Sequence, residues 1–96
     1  MTSEQTGSDA RRLALYVSPG CFYCSRVLRA VEALGADVEV RDTMRDPQHR
    51  AALWQAMGRG TVPVLRIQGP GGEDRWLPES RDIIEWLQQH VGRAPL

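Results

Sequence analysis

The chain has no lysine. All 12 of its basic residues are arginine, and 12 acidic residues balance them to a formal net charge of +0. So even a balance excludes an electrostatic grip on DNA or RNA, which needs a clustered basic face. Long apolar runs are missing too. None approaches the ~18–20 residues of a membrane span, and the N-terminus has neither the basic start nor the apolar stretch of a secretory signal. Cysteine is scarce, at 2 residues, where a disulfide-stapled secreted domain has about four to eight. What is present is ordinary for a soluble globular protein: 42% hydrophobic and 25% charged residues in 96. That length allows one domain with one modest core. The expectation is a small cytoplasmic monomer that binds neither nucleic acid nor membrane.

Punctuation along the chain organises it. Met1 to Ala10 offers almost nothing to bury, and residues 1–11 read as a disordered leader before a single domain over 12–93. Leu13 to Val17 is a short apolar run, as expected of a strand buried on both faces. Ser18-Pro19-Gly20 breaks it. Val27, Leu28, Val31 and Leu34 recur at helical spacing after Phe22, and Gly35 closes that helix. Val38 and Val40 alternate with charged residues as a second strand. Asp46-Pro47 starts a helix, with Asp as N-cap and Pro at the first helical position. It runs through Leu53, Trp54 and Met57 to Gly58.

Thr61 to Ile67 reads as a third strand with Pro63 near its start. Gln68 to Gly72 is a turn, and Arg75-Trp76-Leu77 a fourth strand. Pro78-Glu79-Ser80 opens a last helix with the stripe Ile83, Ile84, Trp86, Leu87 and Val91, capped by Gly92. The order β-α-β-α-β-β-α makes the first two strands parallel and the last two an antiparallel hairpin. The predicted class is α/β, with a mixed four-stranded sheet flanked by helices.

Both cysteines fall in Cys21-Phe22-Tyr23-Cys24. A bridge over two residues closes a tiny loop and makes a poor staple. A structural zinc needs four ligands, and His49 and His90 are not spaced as a ligand pair. The favoured reading is a redox dithiol, with a metal or cluster ligand and an incidental buried pair as alternatives. Cys21 sits where a strand hands over to a helix. Unpaired N–H groups and the macrodipole there favour negative charge, and helix N-termini favour the thiolate, which is the nucleophile. Cys24 lies one turn further on the same face, placed to resolve a mixed disulfide on Cys21.

Two further features point to a ligand. A cis Val62-Pro63 bond would turn the Val62 backbone outward, to pair with an extended peptide. The alternative is an edge-strand proline with no role. Glu79-Ser80 at a helix start is either plain capping or a place for a carboxylate on the Ser80 hydroxyl and free N–H groups, with Glu79 taking an ammonium group.

Pro19-Gly20-Cys21-Phe22-Tyr23-Cys24, Asp46-Pro47, Thr61-Val62-Pro63 and the final helix together resemble a glutaredoxin of the thioredoxin superfamily, over about Leu13 to Val91. The resemblance implies a thioredoxin-like fold and glutathione-dependent dithiol-disulfide exchange, including deglutathionylation. Glutathione would be the co-substrate, with no metal. Cys21 would carry glutathione and Cys24 resolve it. Tyr23 would lie beside the glutathione sulfur, and Thr61, Val62 and Pro63 would hold its cysteinyl part. Arg50 would meet its glycine carboxylate; otherwise it is a solvated helix residue. Partners would be glutathionylated or disulfide-containing proteins. Phe22 stands where glutaredoxins commonly have proline, and Ser18 where they often have lysine. Leu77-Pro78-Glu79-Ser80 is more similar to the glutathione-binding helix of the glutathione transferase N-terminal domain. Two alternatives remain: a [2Fe–2S] carrier ligated by Cys21 and glutathione from two protomers, or a redox domain for one partner protein, docked through Phe22 and Tyr23.

Overall fold

The computed structural model describes residues 11–91. The expected leader, Arg11 apart, and the Gly92 cap lie outside the described residues. The elements are β1 (Arg12–Val17), α1 (Phe22–Leu34), β2 (Glu39–Asp42), α2 (Pro47–Met57), β3 (Val64–Gln68), β4 (Asp74–Pro78) and α3 (Ser80–His90). They form one four-stranded sheet in the order β2-β1-β3-β4. β1 pairs parallel with β2, antiparallel with β3, and β3 pairs antiparallel with β4. This is a thioredoxin-like α/β fold.

Local chemistry accounts for the helix ends. Asp46 caps α2 by accepting the Gln48 N–H at 2.9 Å, and Pro47 takes the first helical position, where no N–H is needed. Gly35 closes α1 in the left-handed region at φ 65, a conformation cheap only for glycine. Gly58 does the same for α2 at φ 77.

The sheet divides the core. On one face Leu15, Val17, Leu65 and Ile67 pack against Cys24 and Val27 of α1 and Ile83, Trp86 and Leu87 of α3. On the other, Ala14, Tyr16 and Val64 meet Leu53, the one buried residue of α2. Tyr16 is fully buried, yet its hydroxyl accepts from Arg41 at 2.7 Å, so the phenol is paired.

Several boundaries depart from the sequence expectation. β3 begins at Val64, leaving Thr61, Val62 and Pro63 outside the ladder; Pro63 has no N–H to give it. Pro78 ends β4 opposite Val64 instead of opening α3, which an edge strand tolerates. Val40 was expected on a half-buried strand but is 49% exposed, because β2 is a short strand of four residues at the edge of the sheet. Trp54 lies on the exposed side of α2.

Candidate functional site

Strand directions gather the site. β1 ends, β3 begins and β4 ends at the same end of the sheet, and the segments at 18–21, 43–46, 59–63 and 79–80 meet there.

Cys21 is the N-cap of α1, in extended backbone at φ −90 and ψ 116. Its Sγ accepts the Cys24 N–H at 3.1 Å. The sulfur therefore does what a capping oxygen does elsewhere: it takes a first-turn N–H at the positive end of the helix. Cys21 is half-buried, and Cys24 behind it is 2% exposed. Both thiols are free.

Cys24 is held as a thiol. Burial first, and then its hydrogen bond with Cys21, push it up from 9.0 to about 12, although a backbone hydrogen bond with Ser18 pulls the other way. At pH 8 the rise leaves about a thousandfold less thiolate. Native iodoacetamide labelling at pH 8 is therefore expected to modify Cys21 and spare Cys24, with both labelled in denaturant; mass spectrometry of the peptides decides it. The sign for stability follows. Below pH 9 the Cys24 proton is kept folded or unfolded, so its contribution is intact. Between pH 9 and about 12 the unfolded chain loses the proton first, and that contribution falls as pH rises.

Val62 and Cys21 both pack against the core shared with α1 and α3. The Val62-Pro63 bond is cis, as the sequence reading expected. Thr61 is half-buried beside them. Tyr23 and Phe22 stand out from the helix start, 56% and 69% exposed, with their rings edge to face at 5.4 Å.

Arg50 lies on α2, away from the cysteines in sequence. It lines a cavity of about 300 Å³ with Ser18, Thr43, Leu53 and Trp54. Ser18 ties that cavity to the cysteine loop. Thr43 holds the far wall: its N–H and its Oγ1 both donate to the Val17 carbonyl, at 2.9 and 3.0 Å. Sequence reasoning missed Thr43 and Trp54, because only the long-range pairing of the β2–α2 loop with the end of β1 puts them here.

Glu79 and Ser80 reach this end from the β4 side. The sequence reading put Ser80 at the cap. Instead Glu79 occupies the cap position at φ 76, makes no side-chain cap bond, and Ser80 is the first helical residue. The turn after Pro78 sets this one-residue shift. It leaves the first N–H groups of α3 with no side-chain acceptor from the cap, and such groups suit a carboxylate. No hydrogen bond or ion pair joins Glu79, Ser80 or Arg50 to the cysteines among the described residues; they share an end of the sheet. Among the described residues, no three His, Cys, Asp or Glu side chains gather as a metal-holding group, and no helix is long and apolar enough to cross a membrane.

Known structures share this fold. The maleylacetoacetate isomerase of Anaeromyxobacter dehalogenans, solved with glutathione bound in its active site, matches 88% of this chain at 25% identity and a TM-score of 0.67. The Omega 2S glutathione transferase of Trametes versicolor matches 84% at 22% identity and a TM-score of 0.69, a likeness of fold alone. A thioredoxin-like protein matches 81% at 24% identity and a TM-score of 0.65, over 97% of its own length. The chain spans about 40% of the isomerase and 37% of the transferase. No curated protein sequence matches it. The family model for the glutathione S-transferase N-terminal domain matches residues 15–95. That match runs from Leu15, within β1, through α3 and takes in the segments gathered around Cys21, so within the thioredoxin superfamily the chain belongs to the glutathione S-transferase N-terminal domain family.

Proposed function

We propose that this chain is a glutathione-dependent thiol-disulfide oxidoreductase, in which Cys21 is the nucleophile and Cys24 the resolving thiol. One observation carries the reading: the Cys21 sulfur caps α1 and takes the Cys24 N–H at 3.1 Å, with a second, buried thiol one turn behind. Glutathione would lie along the end of the sheet. The Val62 backbone would pair with its cysteinyl part, beside Thr61, Pro63 and Tyr23. The α3 N–H groups and Ser80 would take the γ-glutamyl carboxylate and Glu79 its ammonium group. Arg50, in its cavity, would meet the glycine carboxylate.

The Cys21 thiolate attacks the glutathionyl sulfur of a protein mixed disulfide. A Cys21–glutathione S–S bond forms, the protein–glutathione S–S bond breaks, and the protein leaves as a thiol after taking a proton. The thiolate of a second glutathione then attacks the bound sulfur. Oxidised glutathione departs and Cys21 returns as thiolate. In the dithiol branch Cys21 opens a protein disulfide and is itself bonded to the protein. Cys24 gives its proton to the departing thiolate as the Cys21–Cys24 bond forms, and two glutathiones restore the pair. Bonding of Cys21 removes the charge that helps hold the Cys24 proton, so Cys24 becomes easier to ionise at the step that needs it.

The test couples oxidised glutathione to NADPH through glutathione reductase. Turnover of a glutathione mixed disulfide that saturates with glutathione is expected; turnover no faster than without protein would sink the proposal. Cys24→Ser should keep that activity within about threefold and lose dithiol reduction of a protein disulfide. If Cys24→Ser loses both, the division of roles is wrong. A second reading, a domain that serves one partner protein, draws on four exposed apolar side chains at this end, Phe22, Tyr23, Met44 and Trp54. Activity on a protein disulfide with none on small mixed disulfides would favour it.

A further inference from the structure

α2 covers only half of its face of the sheet, over Tyr16 and Val64. The other half lies at the opposite end from Cys21, where β1 and β2 begin and β3 ends. Register sets the side chains there. Arg12 stands opposite Gln68 across the β1–β3 ladder, and Glu39 opposite Ala14 across the β1–β2 ladder, with Arg41 next on β2. Ala14 is small and buried, so the longer side chains around it stand above a low floor. The result is a cavity of about 250 Å³ lined by these residues. At ~30 Å³ per water it has room for roughly eight waters, the scale of a small organic anion.

Its lining carries Arg11, Arg12 and Arg41 against the carboxylates of Glu39 and Asp37. Glu39 is the carboxylate in contact with Arg41, whose Nη2 lies 3.1 Å from it. Arg41, and more weakly His49 and Arg12, hold the Glu39 carboxyl below its usual range. One carboxylate is thus shared among several cations. Arg11 also borders the cavity, but its guanidinium lies 5.3 Å from the Trp86 ring centroid, over the other face. Asp37, at the rim, is exposed. The Arg66 guanidinium, the next on this face, is already paired with Asp74. Arg41 spends Nη1 on Tyr16 and Nη2 on Glu39, and its Nε is buried with no partner. Arg12 makes no ion pair among the described residues.

We propose that this cavity binds a small oxyanion, a phosphate or a carboxylate group, between Arg12 and Arg41. The Arg12 guanidinium offers a free fork that pairs with either group through two parallel N–H bonds; Arg41, its Nη groups already engaged, adds positive charge, and the Gln68 amide supplies a further donor from the facing strand. The site is separate from the Cys21 end and does not depend on the function proposed above.

The test uses the full chain and two probes, inorganic phosphate and succinate, each against sodium chloride at equal ionic strength. A saturable rise in the unfolding temperature is expected with at least one probe. Phosphate alone would assign a phosphoryl ligand, and succinate alone a carboxylate. Amide shifts in two-dimensional NMR should centre on Arg12, Ala14, Glu39 and Gln68. Arg12→Gln, an exposed change, should weaken binding about tenfold, whereas Arg75→Gln, which removes the same charge outside the cavity, should not. A response equal to chloride for both probes, shifts centred elsewhere, or equal weakening by Arg12→Gln and Arg75→Gln would each overturn the proposal.

Discussion

Cys21→Ser is expected to cut glutathione-dependent turnover by roughly a thousandfold or more while leaving the fold intact. A serine hydroxyl stays protonated at neutral pH, and nothing at this site acts as a base for it, so the nucleophile is lost. The helix is a different matter. Serine is a favoured N-cap, and its oxygen can take the Cys24 N–H that the Cys21 sulfur accepts at 3.1 Å. Unfolding temperature should stay within a few degrees of the parent, measured by circular dichroism beside the coupled assay. Cys21→Ala supplies the contrast. It should be equally inactive and also lose about 1 kcal/mol with the cap. If the serine variant retains even a tenth of the turnover, the reaction does not run through this sulfur.

The largest effect on stability is expected at Leu65. It is fully buried on β3, one of the two central strands, in the core shared with α1 and α3. Leu65→Ala removes apolar contacts and leaves a cavity that strands paired on both sides cannot easily close. The expected cost is about 3–4 kcal/mol. A domain of this size has roughly 5–15 kcal/mol in total, so the midpoint of thermal unfolding should fall by about 12–32 °C. Urea titration at 25 °C should show the same loss with the slope little changed. Well below the midpoint the Cys21 site should still work, because Leu65 is not itself one of the residues assigned to glutathione. A loss under 1 kcal/mol would mean that the helical layer is not packed on the sheet as described.

The readable parts of this chain follow local rules. α1 closes at Gly35, and α2 starts at Asp46-Pro47 and stops at Gly58, because caps and left-handed glycines act within a turn. Cys21 and Cys24 were legible for the same reason, since their spacing and the strand before them fix their place. What escaped depends on distant pairing. Val40 alternates like a buried strand residue, and its position on an edge strand exposes it. Thr61-Val62-Pro63 looks like the start of a strand, but the ladder begins three residues later, at Val64. Ser80 is the better cap by composition, yet the turn out of β4 gives that position to Glu79. The cavity around Arg50 needed three separated segments to meet. The family followed the same divide: the cysteine motif pointed to glutaredoxins, whereas Leu77-Pro78-Glu79-Ser80 pointed to the transferase domain that the family model matches.

Glu79 gives this site a consequence for selection. At φ 76 it holds a backbone conformation that costs a side-chain-bearing residue about 1–3 kcal/mol and glycine little. Heat alone, applied to a library of variants, would reward Glu79→Gly, since the strain would go and no contact of the folded chain would be lost with the carboxylate. Under the role proposed for Glu79, selection for glutathione use would reward the reverse. A thermostable descendant obtained without ligand pressure should therefore lose affinity first at residue 79, before any change reaches the cysteines.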